Sequence, residues 1–287
     1  MSHEANTYVI DHESGAEMQR LIDQDTLLNT HMGTLFPDGI DPSTLRRVLD
    51  VACGPAAWIL NVAFAHRHIH AVGIDISPSM IAYGNAFAQV QKLDNAELLV
   101  MDALQPLAFP NDRFDFVNGR LMEGFVKGQH WSALLKEMWR VTAPGGYVRL
   151  TEVLSNQTTS AAFNRIFSLI KEGFEREGHV TQTDEAGNIL FLGSRLAELL
   201  TSAGIAVTGE HTYHLDWSSG TQGHLGMARD FLFMLTLMQP FLVKKVQVVS
   251  EEAYEQLLQA LYEEMQDLAF QGTLHYKSVW SQKPGQA

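Results

Sequence analysis

An α/β fold, a mostly parallel sheet with helices on both faces, is what this sequence predicts, and three observations predict it. Between residues 47 and 153, apolar runs of strand length alternate with stretches of helical spacing, the pattern of a parallel sheet covered on both sides. The first run, Arg47 to Val51, breaks at a small-residue turn around Gly54, and an apolar helical stretch follows at once. The second run, Ala71–Ile74, delivers an acid, Asp75, twenty-one positions after Gly54. Small residues let a backbone approach a ligand, and a helix N-terminus offers unpaired N–H groups. A carboxylate at the place of Asp75 can accept hydrogen bonds from both ribose hydroxyls of an adenosine cofactor.

The elements follow in order. Ala16–Gln24 has helical spacing (Met18, Leu21, Ile22) and leads into a Gly/Pro-rich link, Gly33 to Pro42. Strand 47–52 precedes helix 56–66, whose apolar positions are Ala57, Leu60, Ala63 and Phe64. Strand 70–75 precedes helix 78–91, with Ser77 as N-cap and Pro78 in the first turn. Strands 97–101 and 114–118, helix 131–141 and strand 146–153 continue the alternation. Asp50, Asp75, Asp102 and Asn118 fall at strand ends, where sheets of this kind bind ligands. Beyond residue 155, helices are expected over Ala161–Glu175 (Phe163, Ile166, Phe167, Ile170, Phe174) and Ser194–Ser202, the latter stopped by Gly204. Ile205–Leu215 and Thr273–Trp280 read as strands. Roughly fifty-five residues separate them, far more than a hairpin needs. That insertion holds Phe231–Met238 and the amphipathic Glu251–Phe270.

Composition narrows the function. The chain has 287 residues, 46% of them apolar and 18% charged, enough for one large domain or a domain with an elaborated lid. A net charge of −13 opposes the phosphate-driven binding expected of an enzyme acting on DNA or RNA, so a small-molecule partner is expected. The single cysteine, Cys53, excludes an intrachain disulfide and fits a reducing, cytoplasmic setting. Met1–Gln19 is polar and acidic, unlike a signal peptide, and no apolar run reaches the ~18 residues of a membrane span. No membrane association is expected, and oligomeric state is left open.

The turn itself, Ala52-x-Gly54-x-x-Ala57, is a degraded dinucleotide fingerprint and admits two cofactors. Asp50, two residues before it, discriminates. A carboxylate at the mouth of a diphosphate site repels the ligand by about a few kcal/mol at an effective dielectric near ~20. Beside a cationic amino-acid moiety it attracts. S-adenosylmethionine carries an ammonium and a sulfonium and no phosphate, so Asp50 favours it over NAD.

Val48-Leu49-Asp50-Val51-Ala52-Cys53-Gly54-Pro55-Ala56 resembles motif I of the class I S-adenosylmethionine-dependent methyltransferases. Gly73-Ile74-Asp75-Ile76-Ser77 resembles the second motif, and Met101-Asp102-Ala103 the loop whose acid and next residue meet the adenine. Phe114–Asn118 resembles strand four, and Leu135 to Gly146 the helix and turn before strand five. The resemblance covers about residues 45–153 and implies a Rossmann-like, seven-stranded, mostly parallel sheet whose last strand is inserted antiparallel. It implies S-adenosyl-L-methionine as cofactor and S-adenosyl-L-homocysteine as product. By the same resemblance Asp75 binds the ribose and Ile76 packs on the adenine. Asp102 and Ala103 meet the ring, and Ala52 and Gly54 lend backbone to the methionine part. Asn118 flanks the sulfonium through its main chain, a role any residue type could fill. Ala52 and Ala56 depart from the family, which most often has glycine there, and alanine tolerates positive φ poorly. Three regions are expected: residues 1–40 as an N-terminal helical arm over the cofactor, with Tyr8 closing the site; 41–155 as the cofactor-binding core; and 156–287 completing the sheet, with a helical substrate cap over about 218–271.

Other residues carry less. His66, His68 and His70 straddle a helix end and a strand start and do not converge, so no metal is expected. Cys53 reads as a small side chain packed under the loop or as a reactive thiol. Glu123 and His130 follow strand four, where substrate-facing groups often lie, but neither is assigned as a base and the catalytic residues stay unknown. Phe231, Phe233, Met234 and Met238 read as core of the cap, lining of an apolar pocket, or both. The expected function is methyl transfer to an O, N or C atom of a small, partly apolar acceptor. Two alternatives stay open: the same fold using the cofactor without methyl transfer, as a cyclase-like catalyst or sensor, and an NAD-dependent oxidoreductase.

Overall fold

The computed structural model describes residues 9–11, 14–180, 182–183 and 189–285. In chain order its elements are α1 (Gly15–Met32), β1 (Arg47–Val51), α2 (Ala57–Ala65), β2 (His70–Asp75), α3 (Pro78–Val90), β3 (Ala96–Val100), β4 (Phe114–Arg120), α4 (Trp131–Val141), β5 (Thr142–Thr158) and α5 (Ala161–Glu177). Two two-residue strands follow, β6 (Gln182–Thr183) and β7 (Ile189–Leu190), then α6 (Leu196–Ser202), β8 (Gly209–Asp216), α7 (His224–Gln239), α8 (Glu251–Glu264) and β9 (Gly272–Gln282).

Seven strands make the main sheet in the order β3-β2-β1-β4-β5-β9-β8. β1 to β5 pair in parallel, while β9 runs antiparallel between β5 and β8. The expected architecture is therefore present, with β6 and β7 as an addition: β7 meets β5 at Ser155, beyond the last β4 pair, Arg120 with Thr151. β5 is longer than the apolar pattern predicts. Its polar end, Ser155–Thr158, is held by pairing with β9 rather than by hydrophobic burial.

Local signals place the helices. Ser77 Oγ accepts from Met80 N–H and Pro78 opens α3; Ser160 caps α5 in the same way, and Gly178 ends it with a left-handed residue. On one sheet face, α4 and α6 cover Leu49, Val51, Val117, Val148 and Leu150. On the other, Trp58 and Ile59 of α2 and Ile81 of α3 cover Val48, Ala71 and Phe116. A third core joins α1, α5, α7 and α8 to the β8–β9 end of the sheet, through Phe163, Phe167, Trp217, Phe231 and Tyr276 among others.

α1 is longer than its apolar spacing suggests, because its polar residues are buried against charged partners. Arg20 donates to Glu17 at 2.7 Å on its own helix and to Asp230 of α7 at 3.1 Å. One turn further on, Asp25 accepts from Arg120 of β4. Among the described residues, no helix is long and apolar enough to cross a membrane.

Candidate cofactor site

The turn after β1 holds three left-handed residues, Ala52 (φ 56°), Gly54 (φ 54°) and Ala56 (φ 67°). Two of them are alanines, in a region that costs a non-glycine residue about 1–3 kcal/mol. The turn is fixed from below by Cys53 N–H donating to Ile74 O at 2.9 Å. Asp75 fixes it from the side. One carboxylate oxygen accepts from Gly54 N–H and the other from Ser77 N–H, both at 2.9 Å. The acid thus ties the β1 turn to the start of α3. Beyond β3, Met101 N–H donates to the Asp75 carbonyl at 2.8 Å, and Asp102 accepts from Leu104 N–H at 2.8 Å in a turn of its own. Ala52, Gly54, Asp75, Ile76 and Asp102 thus gather at the carboxyl ends of β1 to β3. Ile76 is 42% exposed, whereas Ala103 is buried in the core. Tyr8 lies outside the described residues.

One reading from sequence is corrected in detail. Asp50 is not at the mouth of the turn; it is 3% exposed and accepts from Asn118 Nδ2 at 2.7 Å. The side chain of Asn118 is engaged within the protein, its amide oxygen accepting from Arg149 Nε at 2.8 Å. The cause is strand register. Gly73, Asp50, Asn118, Arg149 and Trp280 are aligned partners on five adjacent strands, so their side chains share one face. Burial pushes the Asp50 carboxyl up to about 6, against the pull of Arg120 and the Asn118 bond, and pushes Arg149 down to about 9.

Arg120, Arg149 and Trp58 were not foreseen. The two guanidinium carbons lie 5.5 and 5.0 Å from the Trp58 ring centroid, close enough for cation–π attraction. α1 completes this edge: a methyl group placed on Gly54 would lie 3.6 Å from Leu21 Cδ1, with no other neighbour within 4 Å among the described residues beyond the adjoining ones.

A second polar group lies on the opposite sheet face. Glu152, one residue past the last β4–β5 pair, accepts from Met122 N–H at 2.6 Å, just past Leu121, which is held at φ 54°. Glu123 accepts from Leu192 N–H at 3.2 Å. Burial raises both carboxyls, Glu152 to about 8 and Glu123 well above its ordinary range, with Glu152 adding to the shift of Glu123. His179, near the Glu123 backbone, is buried with neither ring nitrogen hydrogen-bonded at good geometry among the described residues. Among those residues, no group of three His, Cys, Asp or Glu side chains could hold a metal ion.

Residues 48–146 match the model of a methyltransferase domain. Demethylmenaquinone methyltransferase of Geobacillus kaustophilus is 34% identical over 123 residues, 42% of this chain and 50% of that protein. The chain thus spans about half the length of the first curated relatives it matches. The Listeria innocua protein of the same name is 27% identical over 190 residues, covering 63% of this chain and 78% of its own. Among solved structures, phosphoethanolamine N-methyltransferase 2 of Haemonchus contortus shares the fold at a TM-score of 0.52, with 18% identity over 94% of this chain and 57% of that one. The [4+2]-cyclase SpnF shares it at 0.50, with 17% identity over 96% and 97%.

Proposed function

We propose that the chain is a class I S-adenosylmethionine-dependent methyltransferase that transfers the methyl group of S-adenosylmethionine to an O, N or C atom of a small, partly apolar molecule. The observation that carries this reading is the Gly54–Asp75–Ser77 clamp beside a turn with three left-handed residues. It fixes a carboxylate, whose oxygens keep further acceptor capacity, at the strand edge beside that turn.

The residues present fit that cofactor. Among the described residues, the position beside Gly54 meets only Leu21 beyond its chain neighbours, so the turn is open to a ligand once α1 adjusts. The clamp orients Asp75 for the two ribose hydroxyls, the exposed face of Ile76 suits the adenine, and Asp102 with the Ala103 backbone takes the ring edge. Ala52 and Gly54 lend backbone to the methionine part. Two buried guanidinium N–H groups nearby, Arg120 Nε and Arg149 Nη2, lack partners among the described residues. When bound, S-adenosylmethionine supplies a methyl group already activated by its sulfonium. What remains for the protein is to align the acceptor and exclude water. Residues 1–40, through α1, would close over the turn. Residues 41–155 would hold the cofactor. Residues 156–287, with α7 and α8 as the cap, would shape an apolar acceptor site. The quinone acceptors named for the curated relatives are apolar, in keeping with that class.

A second reading keeps the cofactor and omits methyl transfer, favoured by the shared fold of a [4+2]-cyclase. Calorimetric titration with S-adenosylmethionine, S-adenosylhomocysteine and NAD, repeated on Asp75→Ala, tests the cofactor. Binding of both sulfur ligands, absent for NAD and lost in the variant, is expected. Binding of NAD alone would move the reading to hydride transfer. Production of S-adenosylhomocysteine in an acceptor screen then separates methyl transfer from the cyclase-like reading.

A further inference from the structure

Arg120 ends β4, and the register that sets Asp50 beside Asn118 and Val51 beside Gly119 brings it next to Ala52, the first residue of the turn. Its guanidinium shares the Trp58 ring with that of Arg149, and Trp58 lies in the first turn of α2, which starts where the β1 turn ends. Arg120 Nε and Arg149 Nη2 are buried without partners among the described residues, and Arg149 is 1% exposed. Unpaired donors on buried charged groups are costly, so two of them side by side call for an acceptor. α2 adds to this. Its N-cap, Ala56, makes no side-chain bond, leaving the leading N–H groups of the helix uncapped by a side chain on the same edge. A carboxylate is the chemistry this edge accepts, because one is already there: Asp25 of α1 takes Arg120 Nη2, while Asn29 bonds both Asp25, at 2.7 Å, and Arg120, at 3.3 Å. Asp25 comes one helical turn after Leu21, which sits over Gly54.

We propose that Arg120 binds the α-carboxylate of the cofactor's methionine part and that Asp25 occupies the same guanidinium when the ligand is away. This rests on the cofactor reading above. One carboxylate replaces another, so the charge on the arginine pair stays balanced throughout. The exchange also links ligand entry to α1, since the residue that yields Arg120 stands on the helix that covers the turn. Arg149, bonded to Asn118 and to the Leu35 carbonyl at 2.9 Å, stays fixed behind and holds the field positive.

The test compares S-adenosylhomocysteine with 5′-methylthioadenosine, which keeps the adenosine and thioether but lacks the amino acid, by calorimetry on the wild type, Arg120→Gln and Asp25→Asn. Arg120→Gln is expected to weaken S-adenosylhomocysteine by roughly tenfold to a hundredfold and leave 5′-methylthioadenosine unchanged. Asp25→Asn, which removes the competitor, is expected to tighten S-adenosylhomocysteine alone. Equal loss of both ligands in Arg120→Gln, or weaker S-adenosylhomocysteine binding in Asp25→Asn, would overturn the proposal and leave Arg120 a structural residue. If thermal melting shows that Arg120→Gln does not fold, the sign of the Asp25→Asn effect decides. A wild type that binds neither ligand removes the cofactor reading and this inference together. A wild type that binds both equally removes this inference alone.

Discussion

Two buried polar groups sit at the carboxyl ends of the same sheet, on opposite faces, and they are balanced in opposite ways. On the α2 side, Asp50 and Asp25 stand against Arg120 and Arg149, with Asn118 joining Asp50 to Arg149. On the other side, Glu123 and Glu152 adjoin one another, bonded to backbone N–H groups, with no side-chain cation bonded to either among the described residues. The first group balances charge with charge. The second balances it with protons, since burial holds both carboxyls well above the ordinary range. The difference separates a group in which buried charges face one another from one in which burial disfavours the charge itself.

Breaking the first group is expected to be the most damaging. Asn118→Leu strands Asp50 and Arg149 in the interior and should destabilise by about 3–5 kcal/mol, read as a lower urea midpoint. The matching change opposite, Glu123→Gln, removes a carboxyl whose charged form burial disfavours and keeps an oxygen for Leu192 N–H, so its urea midpoint should stay level or rise. Next comes pH. For Glu152 the folded-state value of about 8 lies above the unfolded one. The folded state therefore keeps a proton that the unfolded state releases, and stability rises as pH falls from about 8 toward 4.5. The gain is on the order of 2–4 kcal/mol. Asp50, at about 6, adds the same sign only below that pH. Thermal melts between pH 5.5 and 8.5 should show the slope, and Glu152→Gln should flatten it; an unchanged slope would move the effect to the Asp50 side.

Gly73→Ala probes packing in the charged row itself. A methyl group there lies 2.7 Å from Leu98 Cδ2 and 2.9 Å from Cys53 Sγ, and the expected loss is about 1–3 kcal/mol in a chemical melt. The smallest effect is expected in the turn above it. Ala52→Gly and Ala56→Gly relieve left-handed alanines and should each raise stability by up to about 1 kcal/mol, measurable as a modest rise in Tm.

The regular core was legible because its signals are local. Ser77 and Pro78 announce α3, Gly178 stops α5, and apolar runs bounded by turns mark β1 to β4. What escaped depends on partners distant in sequence. α1 was read short since Asp25 and Asn29 break its apolar spacing, and it is Arg120 of β4, bonded to both, that explains why Asp25 is buried there. The strand expected from Ile205 begins at Gly209, where the Trp280 ring lies over the glycine. Asp75 and Gly54 could be read from motif spacing. The polar row could not, because Asp50, Asn118 and Arg149 share a face only after strand register is set. A charged residue inside each of two short apolar stretches, Asp50 in 48–51 and Arg149 in 148–150, was the available signal.

The insertion of β9 between β5 and β8 has a consequence for how the molecule is made. β9 is synthesised after the strands it joins and after both long helices of the cap. Until it leaves the ribosome, β5 and β8 present unpaired edges, and Trp280 is not there to cover Gly209. Vectorial synthesis can assemble β1 to β5 around the cofactor turn, but it cannot close the sheet. Until then the nascent chain carries the β1–β5 sheet with the edges that β9 will join still open, and that is edge for a chaperone to protect.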